Sequence, residues 1–179
     1  SAAEKSAILA THYQPYRALV HHRIGRHLVA GETVLHFSVH SFTPVFEGRI
    51  RDCDVGLLFD PSRPLECRSA RELRAWLGLA IPGIRVRMNQ PYHGTDDGCT
   101  TWLRQRFPAD RYSGIEIEFN QALLGDRSGS WEDLKQCIGF YLSCYENFGH
   151  GITIGQGAGA IPVESPARNR FNALVGRSR

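Results

Sequence analysis

The apolar residues of this chain change period several times, and the changes divide it into elements. From residue 4 to 29, Ile8, Leu9, Tyr13, Tyr16, Leu19, Val20 and Ile24 recur at helical spacing, the stripe of an amphipathic helix. Pro15 lies inside it. A proline there removes a backbone donor and clashes with the preceding turn, so the helix is expected to kink or split. Period two takes over at residues 33–39. Val34, His36, Ser38 and His40 then share one face of a strand, and Leu35, Phe37 and Val39 the other. The strand is expected to end at His40, with a polar loop through Pro44 and Gly48.

A second apolar run, residues 54–59, stops at Asp60-Pro61. Ser69-Ala-Arg-Glu72 has the spacing of a capping box and predicts a helix opening there and running to Leu79. Residues 84–88 alternate as a third strand. A turn-rich loop from Asn89 to Gly98 leads to a helix over 99–107. Residues 114–119 form a fourth strand, and Ser130 caps a helix over 131–146, with Asp133 in the capping-box position. Helices between strands imply crossovers, and so an α/β fold with a mostly parallel sheet. Residues 1–149 read as one α/β domain. Residues 150–179 are rich in Gly and Pro and read as a tail. Gly155-Gln-Gly157-Ala-Gly159 in the tail looks like a phosphate loop. No lysine follows it and Pro162 interrupts any helix, so it is set aside.

Composition narrows the function classes. Hydrophobic residues make up 42% and charged residues 22%, as in ordinary globular proteins. Lys5 and Lys135 are the only lysines, so nearly all the base is arginine, but it is scattered among 18 acids. There is no basic stripe with interleaved aromatics, which argues against a nucleic-acid partner. The five cysteines, Cys53, Cys67, Cys99, Cys137 and Cys144, form no CxxC pair. That pattern fits reduced thiols in a cytoplasmic protein rather than a disulfide framework or a cysteine-built zinc site. No apolar run is long enough to span a membrane. The first residues lack the apolar core of a signal peptide, and no Met opens the chain, which suggests processing or truncation.

Ligands of parallel sheets sit at the carboxyl ends of strands. His40-Ser41 ends the first strand and Asp60 the second. The third runs into Asn89-Gln-Pro91-Tyr92-His93-Gly94, and the fourth ends in Glu118-Phe-Asn120. These residues are expected to converge at one edge. His36 and His40 stand roughly 13 Å apart along one strand, too far to share one ion. His40 is the better ligand, and His36 reads as a satisfied core histidine. Glu116 and Glu118 share a face of the fourth strand. Glu116 reads as an edge-strand ion pair, and Glu118 as a candidate for proton transfer. His21, His22 and His27 read as a solvated helix face. His93-Gly-Thr-Asp96 has the spacing of a metal pair, but in a loop. HExxH and Gly-x-Ser-x-Gly motifs are absent.

Five segments in order carry a resemblance: Tyr13-Gln-Pro15-Tyr16, Val39-His40-Ser41-Phe42, Arg51-Asp-Cys-Asp54-Val-Gly56, Asn89-Gln-Pro91-Tyr92-His-Gly94, and Ile117-Glu118 followed by Leu123. Over residues 10–124 the chain resembles the N-formylglutamate amidohydrolase family. The resemblance implies a zinc carboxypeptidase-like fold, a mixed, mostly parallel sheet sandwiched by helices. It implies metal-assisted hydrolysis of the amide of an acidic N-acyl amino acid, a small-molecule substrate. It makes His40 a zinc ligand and Glu118 the general base, and places Asn89, Tyr92 and an arginine, Arg49 or Arg51, around the substrate. Zinc with three protein ligands lowers the pKa of bound water towards about 7. An arginine fork suits carboxylates.

Two departures stand out. Arg17 occupies the position after Pro-Tyr where family members usually carry His. The family's other two metal ligands, a His and an acid, come from a segment before the first helix. The resemblance therefore implies the C-terminal portion of the family domain. Two further functions compete with the amidohydrolase: an inactive or truncated relative that binds a small anion through Arg49, Arg51 and Tyr92, and a magnesium phosphohydrolase using Asp52, Asp54 and Asp60.

Overall fold

Pro15 divides the N-terminal helix by a change of register rather than a break. In the computed structural model, which describes residues 1–125, 130–147 and 151–154, α1 spans Ala2–Ile8 and α2 spans Gln14–Val29. A π-helical turn, Leu9–Tyr13, joins them. The wider turn makes room for the proline ring, which would otherwise meet the carbonyl one turn back. Of the expected apolar stripe only Val20 and Ile24 are buried; Ile8, Tyr13, Tyr16 and Leu19 are exposed.

Strand β1 covers Val34–Phe42, two residues beyond His40. The expected polar loop contains a hairpin, β2 (Val45–Phe46) and β3 (Arg49–Ile50). Its two-residue turn, Glu47 and Gly48, has φ of 50° and 75°. Positive φ at both positions matches the right-handed twist of the paired strands, which is why such turns close tight hairpins.

Strand β4 is Val55–Leu58, and α3 is Pro64–Ala80. The helix opens five residues before Ser69. Pro64 occupies its first turn, where a missing N–H costs nothing. Ser69 is buried within the helix rather than at its cap, so the Ser69–Glu72 spacing is not a helix start. Next come β5 (Val86–Met88), α4 (Cys99–Arg104), β6 (Tyr112–Asn120), α5 (Ala122–Gly125), α6 (Ser130–Asn147) and β7 (Gly151–Ile154). The sheet thus continues past residue 149, into the segment expected to be a tail. Gly155–Gly159 and the Ser130 side chain lie outside the described residues.

The five-stranded sheet has the order β5-β4-β6-β1-β7. β1 pairs parallel with both β6 and β7, and β4 parallel with β5. β4 and β6 are antiparallel, so the sheet is mixed. The α4 connection joins strands of opposite sense, contrary to the expected parallel crossover.

The two faces differ. Leu35, Phe37, Val55, Leu57, Val86, Ile115, Ile117 and Phe119 pack under α3 and α6 against Leu73, Leu77, Leu134 and Ile138. Each fully buried aliphatic side chain there contributes about 1.5–3 kcal/mol. The opposite face is apolar at its start, where Val34 and Tyr112 meet Val20 and Ile24 of α2 and Leu103 of α4. Beyond them the face carries His36, Ser38 and His40 of β1 beside Glu116, Glu118 and Asn120 of β6.

A buried ion cluster ties the polar face to its surroundings. The Glu66 carboxylate is 0% exposed. It accepts from Arg104 Nε at 3.0 and 3.1 Å, from the Asp60 N–H at 2.8 Å and from the Gly114 N–H at 3.1 Å. Arg63 Nε lies 3.1 Å away as a charge contact without hydrogen-bond alignment. Arg104 also donates to the carbonyls of Gly94 and Gly114. One cluster thereby fixes the start of α3, the loop after β5, α4 and β6.

Candidate active site

His40 and Glu118 are direct neighbours across β1 and β6, and their side chains share the polar face. Burial separates them. His40 is exposed, whereas Glu118 is 6% exposed. One Glu118 oxygen, Oε2, is buried without a hydrogen-bond partner among the described residues. Burial pushes the Glu118 carboxyl above the ordinary range, opposed by His40 and Arg51 and reinforced by Glu116. A carboxyl held up in this way takes and releases protons closer to neutral pH.

Ser38 Oγ lies 2.8 Å from His40 Nε2. That contact orients the imidazole and leaves Nδ1 as its other ring nitrogen. Glu116 stands one strand step away and accepts from the Thr100 hydroxyl of α4. β6 is the middle strand of the sheet, so Glu116 is not on an edge, and its partner is a hydroxyl rather than a cation. His36 is buried, 2.9 Å from the Tyr112 hydroxyl. Burial, Arg104 and His40 lower its pKa to about 4. His36 is therefore a neutral core histidine, as its position in the strand suggested.

The strand-end rule does not account for the rest of the site. Because β4 and β5 run against β6, Leu58 lies beside Glu116, and the chain beyond it leads away from Glu118. Asp60 sits at that other side, accepting from the Ser62 N–H and hydroxyl. The loop after β5 instead folds back. Asn89 Oδ1 accepts from the Phe59 N–H at 2.9 Å and the Gly94 N–H at 3.2 Å, holding the loop closed. The Gln90–Pro91 peptide is cis. The Gln90 carbonyl crosses Gly56, where a Cβ would lie 2.1 Å from its oxygen and 3.3 Å from the Glu118 Cβ. Only glycine admits the loop beside Glu118 at that point.

Tyr92 follows and accepts from Arg51 Nη1 at 3.1 Å. The Arg51 guanidinium is also stacked among Phe46, Tyr92 and Phe42, at 4.6, 4.9 and 5.8 Å from their ring centres. Asn120 Nδ2 donates to the carbonyl of Cys53 at 2.8 Å and, at 3.4 Å, to that of Arg51, anchoring the segment beneath. Arg51 and Tyr92 thus stand together at the Glu118 end of the polar face. Arg49 is exposed on the hairpin. Sequence reasoning missed Ser38 and Gly56 as site-shaping residues and placed Asn120 only as a strand-end residue, without its anchoring role. The period of β1 was the available signal for Ser38; Gly56 and Asn120 answer to contacts between distant segments.

Other sequence candidates fall elsewhere. His21 is not solvated but stacks on Phe107 at 4.9 Å. His93 is turned into its own loop, its N–H donating to Asp96 and its ring beside Thr95. Asp52 and Asp54 are ion-paired with Arg85, and Asp52 also with Arg87 at 3.8 Å. Cys53, Cys67, Cys99 and Cys137 are free thiols. A cavity of about 340 Å³ opens elsewhere, against Thr33, Arg68, Glu72 and Ser113, and includes none of the residues around Glu118.

Among the described residues, no group of three or more His, Cys, Asp or Glu is placed to hold a metal ion. His40 and Glu118 alone do not fit a self-contained zinc centre. No helix among the described residues is long and apolar enough to cross a membrane.

The fold is a mixed α/β sheet flanked by helices, and its polar face brings the buried Glu118 carboxylate beside a histidine and an arginine-tyrosine pair. The family model for N-formylglutamate amidohydrolase matches residues 1–124, and the chain belongs to that family. It is also similar to the crystal structure of gene product Atu2144 from Agrobacterium tumefaciens, with 30% identity and a TM-score of 0.58. The similarity covers 82% of this chain and 56% of that one, so the chain spans little more than half the length of this relative. No curated protein matches.

Proposed function

We propose that this chain carries the general-base side of an amidohydrolase site that cleaves the amide of an acidic N-acyl amino acid, such as an N-formylglutamate. The observation that carries the reading is the buried, unpartnered Oε2 of Glu118 beside exposed His40. A buried carboxylate without a donor is costly to maintain, and a water or substrate proton supplies what it lacks. Glu118 takes a proton from the attacking water as its oxygen bonds to the acyl carbon. The carbon–nitrogen bond then breaks, and the same proton passes to the leaving amine. Arg51, oriented by Tyr92 and the hairpin, receives a substrate carboxylate. Arg49 and Asn89 are proposed to border that pocket. In this reading His40 is one ligand of a zinc ion in a zinc carboxypeptidase-like arrangement, with the remaining ligands outside the described residues.

The test is formate release from N-formyl-L-glutamate by the full chain, with zinc added or removed by chelation. Glu118→Gln is expected to lower the rate about 100-fold or more, and His40→Ala to lower zinc retention and activity together. Unchanged hydrolysis by Glu118→Gln would overturn the assignment.

A further inference from the structure

We propose that Arg17 is a specificity-determining residue, the receptor for the side-chain carboxylate of the substrate. This rests on the amidohydrolase reading above and adds a second anchoring point to it.

The position of Arg17 follows from the path of α2. Arg17, Val20 and Ile24 lie on one stripe of the helix, and Val20 and Ile24 are buried against the sheet. A short link joins the end of α2 to β1, and Ile24 packs in one cluster with Val34 at the strand's start. The helix therefore runs back along β1. Seven residues of helix from Ile24 to Arg17 cover about 10 Å, or about three residues of strand. That places Arg17 near the level of Ser38, whose neighbour on β6 is Glu116. Electrostatics agree with this placement, since Arg17 and Glu116 both act on the Cys99 thiol, in opposite directions. Cys99 in turn adjoins Thr100, the donor to Glu116. Arg17 thus stands one strand step, about 7 Å, from the level of His40 and Glu118. A short aliphatic side chain spans that distance.

The guanidinium is built for a ligand. It lies 4.4 Å from the Tyr13 ring centre and 5.2 Å from that of Trp102. Aromatic contacts restrict its plane, so less freedom is lost on binding. Among the described residues its donors are unspent. Nε is buried without a partner, and no described residue accepts a hydrogen bond from Arg17 or pairs with it. Three other arginines of this fold behave differently. Arg63 and Arg104 saturate carbonyls and Glu66, and Arg85 pairs with Asp52 and Asp54. Glu116, the acid nearest in register, is engaged by Thr100. A half-buried guanidinium without acceptors is unfavourable until an anion arrives, and its planar fork suits a carboxylate.

The experiment compares wild type, Arg17→Met and Arg17→Lys on N-formyl-L-glutamate and N-formyl-L-norvaline. Arg17→Met is expected to lose about tenfold or more in kcat/KM on the glutamate compound, mainly through KM. It should be unchanged on the norvaline compound. Arg17→Lys should recover part of the loss, since it keeps the charge but not the fork. Equal losses on both compounds, or none, overturn the proposal. Calorimetric titration with glutarate decides the matter independently of turnover. Binding that weakens tenfold or more in Arg17→Met supports the receptor, even where wild type hydrolyses neither compound and the amidohydrolase reading falls. Glutarate binding that is absent in wild type, or equal in Arg17→Met, overturns it.

Discussion

Glu66 and Arg104 form a buried ion pair in which one guanidinium nitrogen reaches both carboxylate oxygens, at 3.0 and 3.1 Å. Its further bonds run to Asp60, Gly94 and Gly114, on three separate segments. Removing one partner leaves the other charge buried and alone. Glu66→Ala is expected to cost about 3–5 kcal/mol of stability, measured by urea unfolding. A loss below about 1 kcal/mol, the range of a surface pair, would show that the cluster is not structural.

His36 makes stability depend on acid pH. Its folded pKa is lowered from 6.5 to about 4, chiefly by burial. The unfolded chain therefore takes up a proton that the folded chain refuses. Stability attributable to His36 is intact above the ordinary histidine pKa and falls as pH drops towards about 4, by a loss on the order of 3 kcal/mol. His36→Gln should flatten the pH dependence of the unfolding free energy in that window. A slope identical to wild type would refute the assignment.

Glu118 has the opposite sign. Its carboxyl is raised by burial, so the fold favours the protonated form, and the charged form opposes folding at neutral pH. Glu118→Gln should raise the melting temperature at neutral pH, while the difference shrinks as pH falls below the ordinary carboxylate range. Together with lost hydrolysis, that is the mark of a group kept for chemistry at the expense of stability. A variant that is both inactive and less stable at neutral pH would instead mark a structural carboxylate.

Gly56 decides how closely the loop approaches. A methyl group there meets the Gln90 carbonyl at 2.1 Å, so Gly56→Ala must displace the loop that carries Tyr92. The expected result is a KM increase of about tenfold or more with a destabilisation of about 1–3 kcal/mol, read from steady-state kinetics and denaturation. Wild-type kinetics in a folded Gly56→Ala protein would show that the loop does not shape the site.

The sequence made the strands of this fold legible where a local period was strong. Val34 to His40 and Ile115 to Phe119 alternate cleanly because one face packs under α3 and α6 while the other turns to the polar groove. The same alternation placed His40 and Glu118 on one face. Local signals failed where distant groups decide the outcome. Ser69 looked like a cap, but Pro64 had already begun the helix. Glu116 looked like an edge residue, but strand order is a property of the whole sheet. The reversal between β4 and β6 also moved Asp60 away from the edge where His40 and Glu118 stand. The loop reached Glu118 through Gly56 and Asn89, neither of which carries a local mark of that role.

The hairpin of β2 and β3 has a separate consequence. Among the described strands its two pair only with each other, yet Phe46 forms one wall around Arg51. Its tip can therefore be lengthened, shortened or exchanged without shifting the register of any core strand. This gives the fold an interchangeable rim, on which substrate preference can diverge while the proton-transferring residues and their support stay fixed.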